Sequence, residues 1–280
     1  MRPSIPSASF SALVVSVGLG LTVPAIPAAA APVAPAALNH MLALAHQYGS
    51  RAAFVFDLDE TTVDSSPRRY EAMLDAIDEA CTRAPVKHPD CAALRYIKLD
   101  DLYRLRNRYD DLTYLRHYGA KDEAFVEAVA KRAFDIYLSG RYIVDKDRLY
   151  PGASLFLRRL KKEGALVYFV SSRSIERQGT NTLRFLSDHG VLRPGEDSLV
   201  YLKPDVEASP DFKRRATKEI ADRVANRGGR VFGIFENEPE NLEIWMENLP
   251  RALPFFMVGA YQHEGPVAKR AVILQDFRLN

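Results

Sequence analysis

Cysteine is nearly absent from this chain of 280 residues: there are two, Cys81 and Cys91, and they do not form a C-x-x-C pair. That excludes a thioredoxin-type redox centre and a fold framed by many disulfides. His88 lies between them, but without a second ligand pair the three make no recognisable zinc site. A dominant charge sign is also lacking. Lys and Arg number 38 against 36 Asp and Glu, a formal net charge of +2, too little to grip a nucleic-acid backbone unless strongly segregated. The mixed stretch 103–118 interleaves Arg with Asp110 and Asp111 and reads as a solvated helical surface. No internal repeat occurs, and no multi-span apolar pattern. What is present suits a folded chain: 47% hydrophobic and 26% charged residues exclude a disordered polymer. The length fits one large domain, or a core carrying a substantial insertion.

The one apolar run of export type is N-terminal. Met1 and Arg2 precede an uncharged stretch over 10–23, then an Ala- and Pro-rich segment. A positive start, a short apolar segment and the small residues Ala28 and Ala30 predict a secretory signal over 1–30, cleaved before Ala31. No cysteine lies there, so a bacterial lipoprotein anchor is excluded. Pro24 and Pro27 cut the run short of the roughly 20 residues a spanning helix needs. A retained anchor is the alternative; after cleavage no stable membrane span is expected. The expected location is periplasmic or secreted. Residues 31–50 read as a linker and the start of the core, with folding from about Leu38. In an oxidising compartment Cys81 and Cys91 can close a small loop, or they remain two unrelated buried thiols.

Continuous apolar runs over 52–56, 166–170, 231–235 and 254–258, with a shorter one over 199–202, predict strands buried on both faces of a parallel sheet. Helical patterns lie between them. Leu155, Phe156 and Leu160 precede a stop at Gly164; Phe212, Ala216, Ile220 and Val224 recur every four residues before Gly228; and 240–248 ends at Pro250. This alternation predicts an open α/β sheet with right-handed crossovers. Residues 64–150 break it. They show only helical stripes, among them Met73, Ile77 and Cys81, and Phe125, Val129, Ala133 and Tyr137, so they read as an all-helical insertion whose stripes pack against each other.

In open parallel sheets, ligands bind outside the carboxyl ends of the strands. Three of the runs end there in polar residues: Asp57-Leu58-Asp59-Glu60-Thr61, Ser171-Ser172-Arg173 and Glu236-Asn237-Glu238-Pro239-Glu240. Carboxylates gathered at one edge repel each other unless a cation or protons intervene. Oxygen-only donors at a partly hydrated site favour Mg²⁺. A lysine with hydroxyls opposite suits a phosphoryl group.

The chain resembles the haloacid dehalogenase (HAD) superfamily in four motifs taken in order. Phe54-Val55-Phe56-Asp57-Leu58-Asp59-Glu60-Thr61 matches the hydrophobic strand followed by D-x-D-x-T. Val167-Tyr168-Phe169-Val170-Ser171 matches the strand ending in Ser or Thr. Lys213, in Asp211-Phe212-Lys213, is the choice for the helix-borne lysine, with Lys203 as competitor. Phe235-Glu236-Asn237-Glu238-Pro239-Glu240 stands for the acidic strand end. The resemblance is to an exported, acid-phosphatase-like member. It implies a HAD-like Rossmannoid three-layer α/β/α core from 51–63 and 151–280, with 64–150 inserted after the first strand as a helical cap.

The resemblance also implies roles. Asp57 would be the nucleophile and Asp59 the acid and base. Mg²⁺ would be held by the Asp57 carboxylate, the Asp59 main-chain carbonyl and Glu236. Ser171, Ser172 and Lys213 would hold the phosphoryl oxygens, with Thr61 on the phosphate side supporting the loop. One position departs from the pattern: Glu236 stands where the family usually has Asp, so its metal contact is direct or through water, and Asn237 and Glu240 are second candidates. Arg173 is either a phosphate or substrate contact or one half of an ion pair. His263 follows the last run, at the edge of the site. The implied function is exported, Mg²⁺-dependent hydrolysis of a small phosphorylated substrate through an aspartyl-phosphate, with no nucleic-acid partner. The alternatives are a catalytically weak ligand- or metal-binding protein on this fold, or a phosphotransferase or other hydrolase of the superfamily.

Overall fold

The computed structural model describes residues 33–83, 86–105, 110–259 and 266–280. The expected signal segment and His263 lie outside these residues. The expected linker is largely helix instead: α1 spans Val33–Tyr48. Pro35 falls in its first turn, where a missing N–H breaks no helical hydrogen bond, and alanine is the strongest helix former. Leu38, Met41 and Ala45 of α1 are buried in the core.

β1 (Ala52–Phe56) and a two-residue strand β2 (Val63–Asp64) follow. Then come α2 (Ser66–Cys81), α3 (Leu99–Leu105), α4 (Asp111–His117), α5 (Glu123–Leu138), α6 (Ile143–Lys146) and β3 (Arg148–Leu149). The remainder alternates: α7 (Ala153–Lys162), β4 (Leu166–Ser174), α8 (Ile175–Asp188), β5 (Val200–Lys203), α9 (Ser209–Ala225), β6 (Arg230–Glu236), α10 (Pro239–Asn248), β7 (Leu253–Met257) and β8 (Val272–Leu274). Six strands make one parallel sheet in the order β5-β4-β1-β6-β7-β8. Ala52, Phe54 and Phe56 of β1 pack into the cluster that holds α1 and α7, while Ala53 and Val55 face the cluster of α9 and α10. Burial on both faces is why the run is apolar without alternation. In the alternating part of the chain, α8 and β8 have no counterpart in the sequence reading. The inward face of α8 opens with Gln178, Gly179 and Thr182, which hides its apolar period, and β8 is only three residues long.

The elements described between β2 and β3 are all helices, and they build a core of their own from Met73, Ile77, Leu102, Val129 and Ala133. Tyr114 and Leu115 join it, and Asp111 is buried against Arg69, so residues 110–118 of the stretch expected as a solvated surface are amphipathic instead. The insertion is framed by the antiparallel ribbon β2–β3, with Val63 opposite Leu149 and Asp64 opposite Arg148. The expected boundary at 64 falls inside β2 and the one at 150 just after β3, since strands of two residues leave no periodicity to read.

Cys81 and Cys91 are disulfide-bonded, with their Cα atoms 5.5 Å apart. The bond ties the end of α2 to the 3₁₀ segment Pro89–Tyr96, so it lies wholly within the insertion. It closes a loop with a sequence separation of 10, which stabilises by about 2–3 kcal/mol on loop-entropy grounds. Cys81→Ser with Cys91→Ser should therefore cost about that much. Hydrogen exchange should show the lost protection in α2–α5 with β1, β4 and β6 unchanged; uniform loss would mean that the bond supports the core.

Candidate active site

β1 and β6 end nearly level, while β4 runs on past them to Ser174. Phe56 pairs with Phe169 and with Phe235, and the Asp57 N–H donates to the Phe235 carbonyl at 2.9 Å. The rings of Phe56, Phe235 and Phe255 stack beneath this edge at centroid distances of 4.2 and 4.3 Å, which fixes β1, β6 and β7 relative to each other. After Asp57 the chain turns tightly: the N–H groups of Thr61, Thr62 and Val63 all donate to the Leu58 carbonyl, and the Thr62 hydroxyl donates to the Asp57 carbonyl at 2.7 Å. Glu60 sits in this turn with φ +58°, a left-handed conformation that costs a non-glycine residue about 1–2 kcal/mol. Its buried carboxyl offsets that cost by accepting from Ser65 N, Ser65 Oγ and the Tyr150 hydroxyl. Burial, with Asp64 adding like charge, raises this carboxyl to about 8.

Asp57 is 4% exposed. Lys213 Nζ donates to Asp57 Oδ1 at 2.6 Å and to Glu236 Oε2 at 2.7 Å, with the Trp245 ring covering the ammonium. Burial pushes the Asp57 carboxyl up to about 6 against the pull of Lys213, and burial together with the charge of Asp57 pushes Glu236 to about 8. Burial works against the charge on Lys213, but its two carboxylate partners outweigh that and hold its pKa above the usual lysine range. The extra methylene of Glu236 lets its carboxylate fold back: Oε1 accepts from the N–H groups of Asn237 and Glu238, and Oε2 from Lys213. Lys203 is elsewhere, donating to the carbonyls of Pro204 and Glu207.

Asp59 is held by two arginines. Arg173 donates from Nε to Oδ2 at 2.9 Å and from Nη2 to Oδ1 at 2.7 Å, and Arg68 donates from Nη2 to Oδ1 at 2.7 Å. Burial alone would raise Asp59, but Arg173 and Arg68 outweigh it and hold the carboxyl well below the usual range. Arg173 is thus an ion-pair partner of Asp59 and of Asp147 (2.7 Å). Arg68 and Asp147 are absent from the sequence reading. Neither belongs to a motif, and only the fold brings them to Asp59.

A cavity of about 390 Å³ opens at these strand ends, lined by Asp57, Asp59, Ser171, Ser172, Arg173, Lys213, Glu236 and Asn237 among others. The insertion contributes Phe134, Tyr137 and Leu138 of α5 to the same wall. Tyr137, expected only to pack helices, therefore serves both. Two expected residues fall outside. Thr61 is fully buried behind the wall and donates to Asn237 Oδ1 at 2.9 Å, a loop support rather than a phosphate contact. Glu240 is exposed on the first turn of α10 and does not line the cavity. Glu238 lines it in its place, accepting from Asn241 at 2.6 Å. Ser172 is exposed at the rim and hydrogen-bonds Ser209.

The wall side chains able to ligate a metal do so through oxygen, and the carboxylates of Asp57, Asp59, Glu236 and Glu238 outnumber the cations Lys213 and Arg173. Among the described residues no three acidic, His or Cys side chains converge on one point, because Lys213 stands between Asp57 and Glu236. Oxygen donors of this type fit a hard, partly hydrated divalent cation that also draws on a main-chain carbonyl and water.

The model of the haloacid dehalogenase-like hydrolase family matches residues 52–250, and the chain belongs to that family. No curated protein matches it. Among solved structures it is similar to a predicted phosphoglycolate phosphatase from Haemophilus somnus 129PT (14% identity, TM-score 0.46, 80% of this chain and 94% of that one). It is also similar to a HAD hydrolase of family IA, variant 3, from Entamoeba histolytica HM-1:IMSS (15%, 0.46, 81% and 93%), and to CbbY from Rhodobacter sphaeroides in complex with phosphate (14%, 0.45, 80% and 94%). At these identities, activity and substrate rest on this chain's own residues.

Proposed function

We propose that this hydrolase cleaves phosphomonoesters through an aspartyl-phosphate on Asp57, with Mg²⁺ as cofactor, and that it acts outside the cytoplasm. The observation that carries the reading is two carboxylates, Asp57 and Asp59, on one cavity wall, the first bridged to Lys213 at 2.6 Å. Halide leaves as a stable anion without a proton, whereas an alkoxide needs one; a second acid beside the nucleophile favours the phosphate ester.

In this reading Asp57 attacks phosphorus in line with the ester oxygen. The P–O ester bond breaks as the Asp57–phosphorus bond forms, and Asp59 gives a proton to the departing oxygen. Water then attacks phosphorus, its proton passes to Asp59, and phosphate leaves with the Asp57 carboxylate restored. Arrival of a phosphate dianion places like charge beside Asp59, opposing the two arginines and raising its affinity for the proton it must carry. Lys213 neutralises charge at the attacking carboxylate, and Ser171 lines the same cavity. Asp57, the Asp59 main-chain carbonyl and the 236–238 segment would hold Mg²⁺, which supplies the charge compensation that lets two anions meet. The helical insertion serves as a cap, with Phe134, Tyr137 and Leu138 facing the small phosphorylated substrate. Export is supported by the N-terminal sequence pattern and agrees with the disulfide. Among the described residues no helix is long and apolar enough to cross a membrane.

Hydrolysis of an aryl phosphate should vanish in EDTA and return with Mg²⁺. Full activity in EDTA would remove the metal from the account. No hydrolysis with any divalent cation would favour a binding protein on this fold.

A further inference from the structure

Arg68 belongs to the first turn of α2, where the insertion leaves the core, and Asp147 directly precedes β3, where the chain returns. Both are buried, as is Arg173 at the end of β4. The three close a ring with Asp59. Arg68 Nη2 and Arg173 Nη2 each lie 2.7 Å from Asp59 Oδ1. On the far side Arg68 Nε is 3.1 Å from Asp147 Oδ1, and Arg173 Nη2 is 2.7 Å from Asp147 Oδ2. The two arginines and two aspartates cancel in charge. Arg68 Nη2 also donates to the Tyr137 hydroxyl at 2.9 Å, its guanidinium lies 4.2 Å from the Tyr137 ring centroid, and that hydroxyl donates to Ser65 Oγ at 3.1 Å. Tyr137 itself lines the cavity.

A buried ionic quartet is a poor way to gain stability, since well-packed apolar residues of similar volume usually do as well or better. What it does supply is geometry. Two planar guanidinium groups fix both oxygens of one carboxylate, and a second carboxylate holds the guanidinium groups in turn. We propose that Arg68 is a positioning residue for Asp59: together with Arg173 it aims the Asp59 carboxylate into the cavity, and through Asp147 and Tyr137 it makes that aim depend on both junctions of the helical insertion being seated. Asp59 is then ready for proton transfer only when the insertion is docked. The inference rests on the reading of Asp59 as the acid and base.

The test is phosphoenzyme formation and decay in the Mg²⁺-loaded full chain, for aryl and alkyl phosphates spanning good and poor leaving groups. Arg68→Gln should slow formation tenfold or more with the poorest leaving group and less than about threefold with the best, with little change in KM; a positioned acid is worth roughly 10²–10⁴-fold in all. Because Arg68 acts through Asp59, adding Arg68→Gln to Asp59→Asn should slow formation no further. A merely structural role would give equal loss across the series and additive loss in the double variant, and either result overturns the proposal. If Arg68→Gln does not fold, Tyr137→Phe and Asp147→Asn, which keep the packing, should show the same dependence on leaving group, and a flat response in both overturns it as well. The two readings fail differently. If the parent never forms a phosphoenzyme on Asp57, the proposed function falls. If it does, and Asp59→Asn shows the leaving-group dependence while Arg68→Gln does not, the positioning role alone falls.

Discussion

Asp57→Asn should abolish turnover, by on the order of 10⁴-fold or more, because the amide cannot replace the carboxylate as nucleophile. It should do so without harming the fold. Burial raises the Asp57 carboxyl from 3.8 to about 6, so the folded chain binds this proton more tightly than the unfolded one. The associated stability is present below the unfolded value and is lost as pH rises through about 6. Asn carries no charge at any pH. In metal-free protein the substitution should therefore raise Tm at pH 8 and change it little at pH 4, as calorimetry at the two pH values would show. Activity above one part in a hundred, or a lower Tm at pH 8, would contradict this view of Asp57.

Lys213→Met should bring the largest loss of stability. The ammonium bridges two buried carboxylates at 2.6 and 2.7 Å. Removing one member of a buried ionic set leaves uncompensated charge and costs about 3–5 kcal/mol. Activity should fall about 10²–10³-fold or more, the usual range for loss of one preorganised charge-stabilising group. Adding Glu236→Gln removes one of the stranded charges and should recover part of the stability but none of the activity. Denaturant unfolding of the metal-free parent and the two variants reads the first effect and steady-state kinetics the second. A loss below about 1 kcal/mol in Lys213→Met would show that the ammonium is dispensable to the folded site.

Much of this site was legible because its chemistry lies at strand ends, where an apolar run gives way to polar residues. Asp57, Ser171 and Glu236 each follow a run whose double burial leaves a continuous hydrophobic signal, and the spacing of Phe212, Ala216 and Ile220 marked the helix that carries Lys213. The unread part depends on contacts between distant segments. Arg68 and Arg173 converge on Asp59 across sequence separations of 9 and 114, and no local period records that. The folding back of Glu236 onto the N–H groups of Asn237 and Glu238 is a matter of side-chain conformation, invisible in a string of letters. Glu238 and Glu240 look alike in sequence; the start of α10 at Pro239 sends one to the cavity and the other to solvent. The first turn of α1 reads as linker in the sequence because of its Pro/Ala composition, although a proline in a first turn is no obstacle to a helix.

The most direct measurement is acid quenching during turnover of a ³²P-labelled phosphomonoester with Mg²⁺, followed by peptide mapping. The account expects one labelled peptide, the one containing Asp57, with the label lost in base and to hydroxylamine as an acyl phosphate should be, and absent from Asp57→Asn. Label on another residue, or steady hydrolysis with no covalent phosphate at any quench time in either the parent or the slower Asp59→Asn variant, would contradict it.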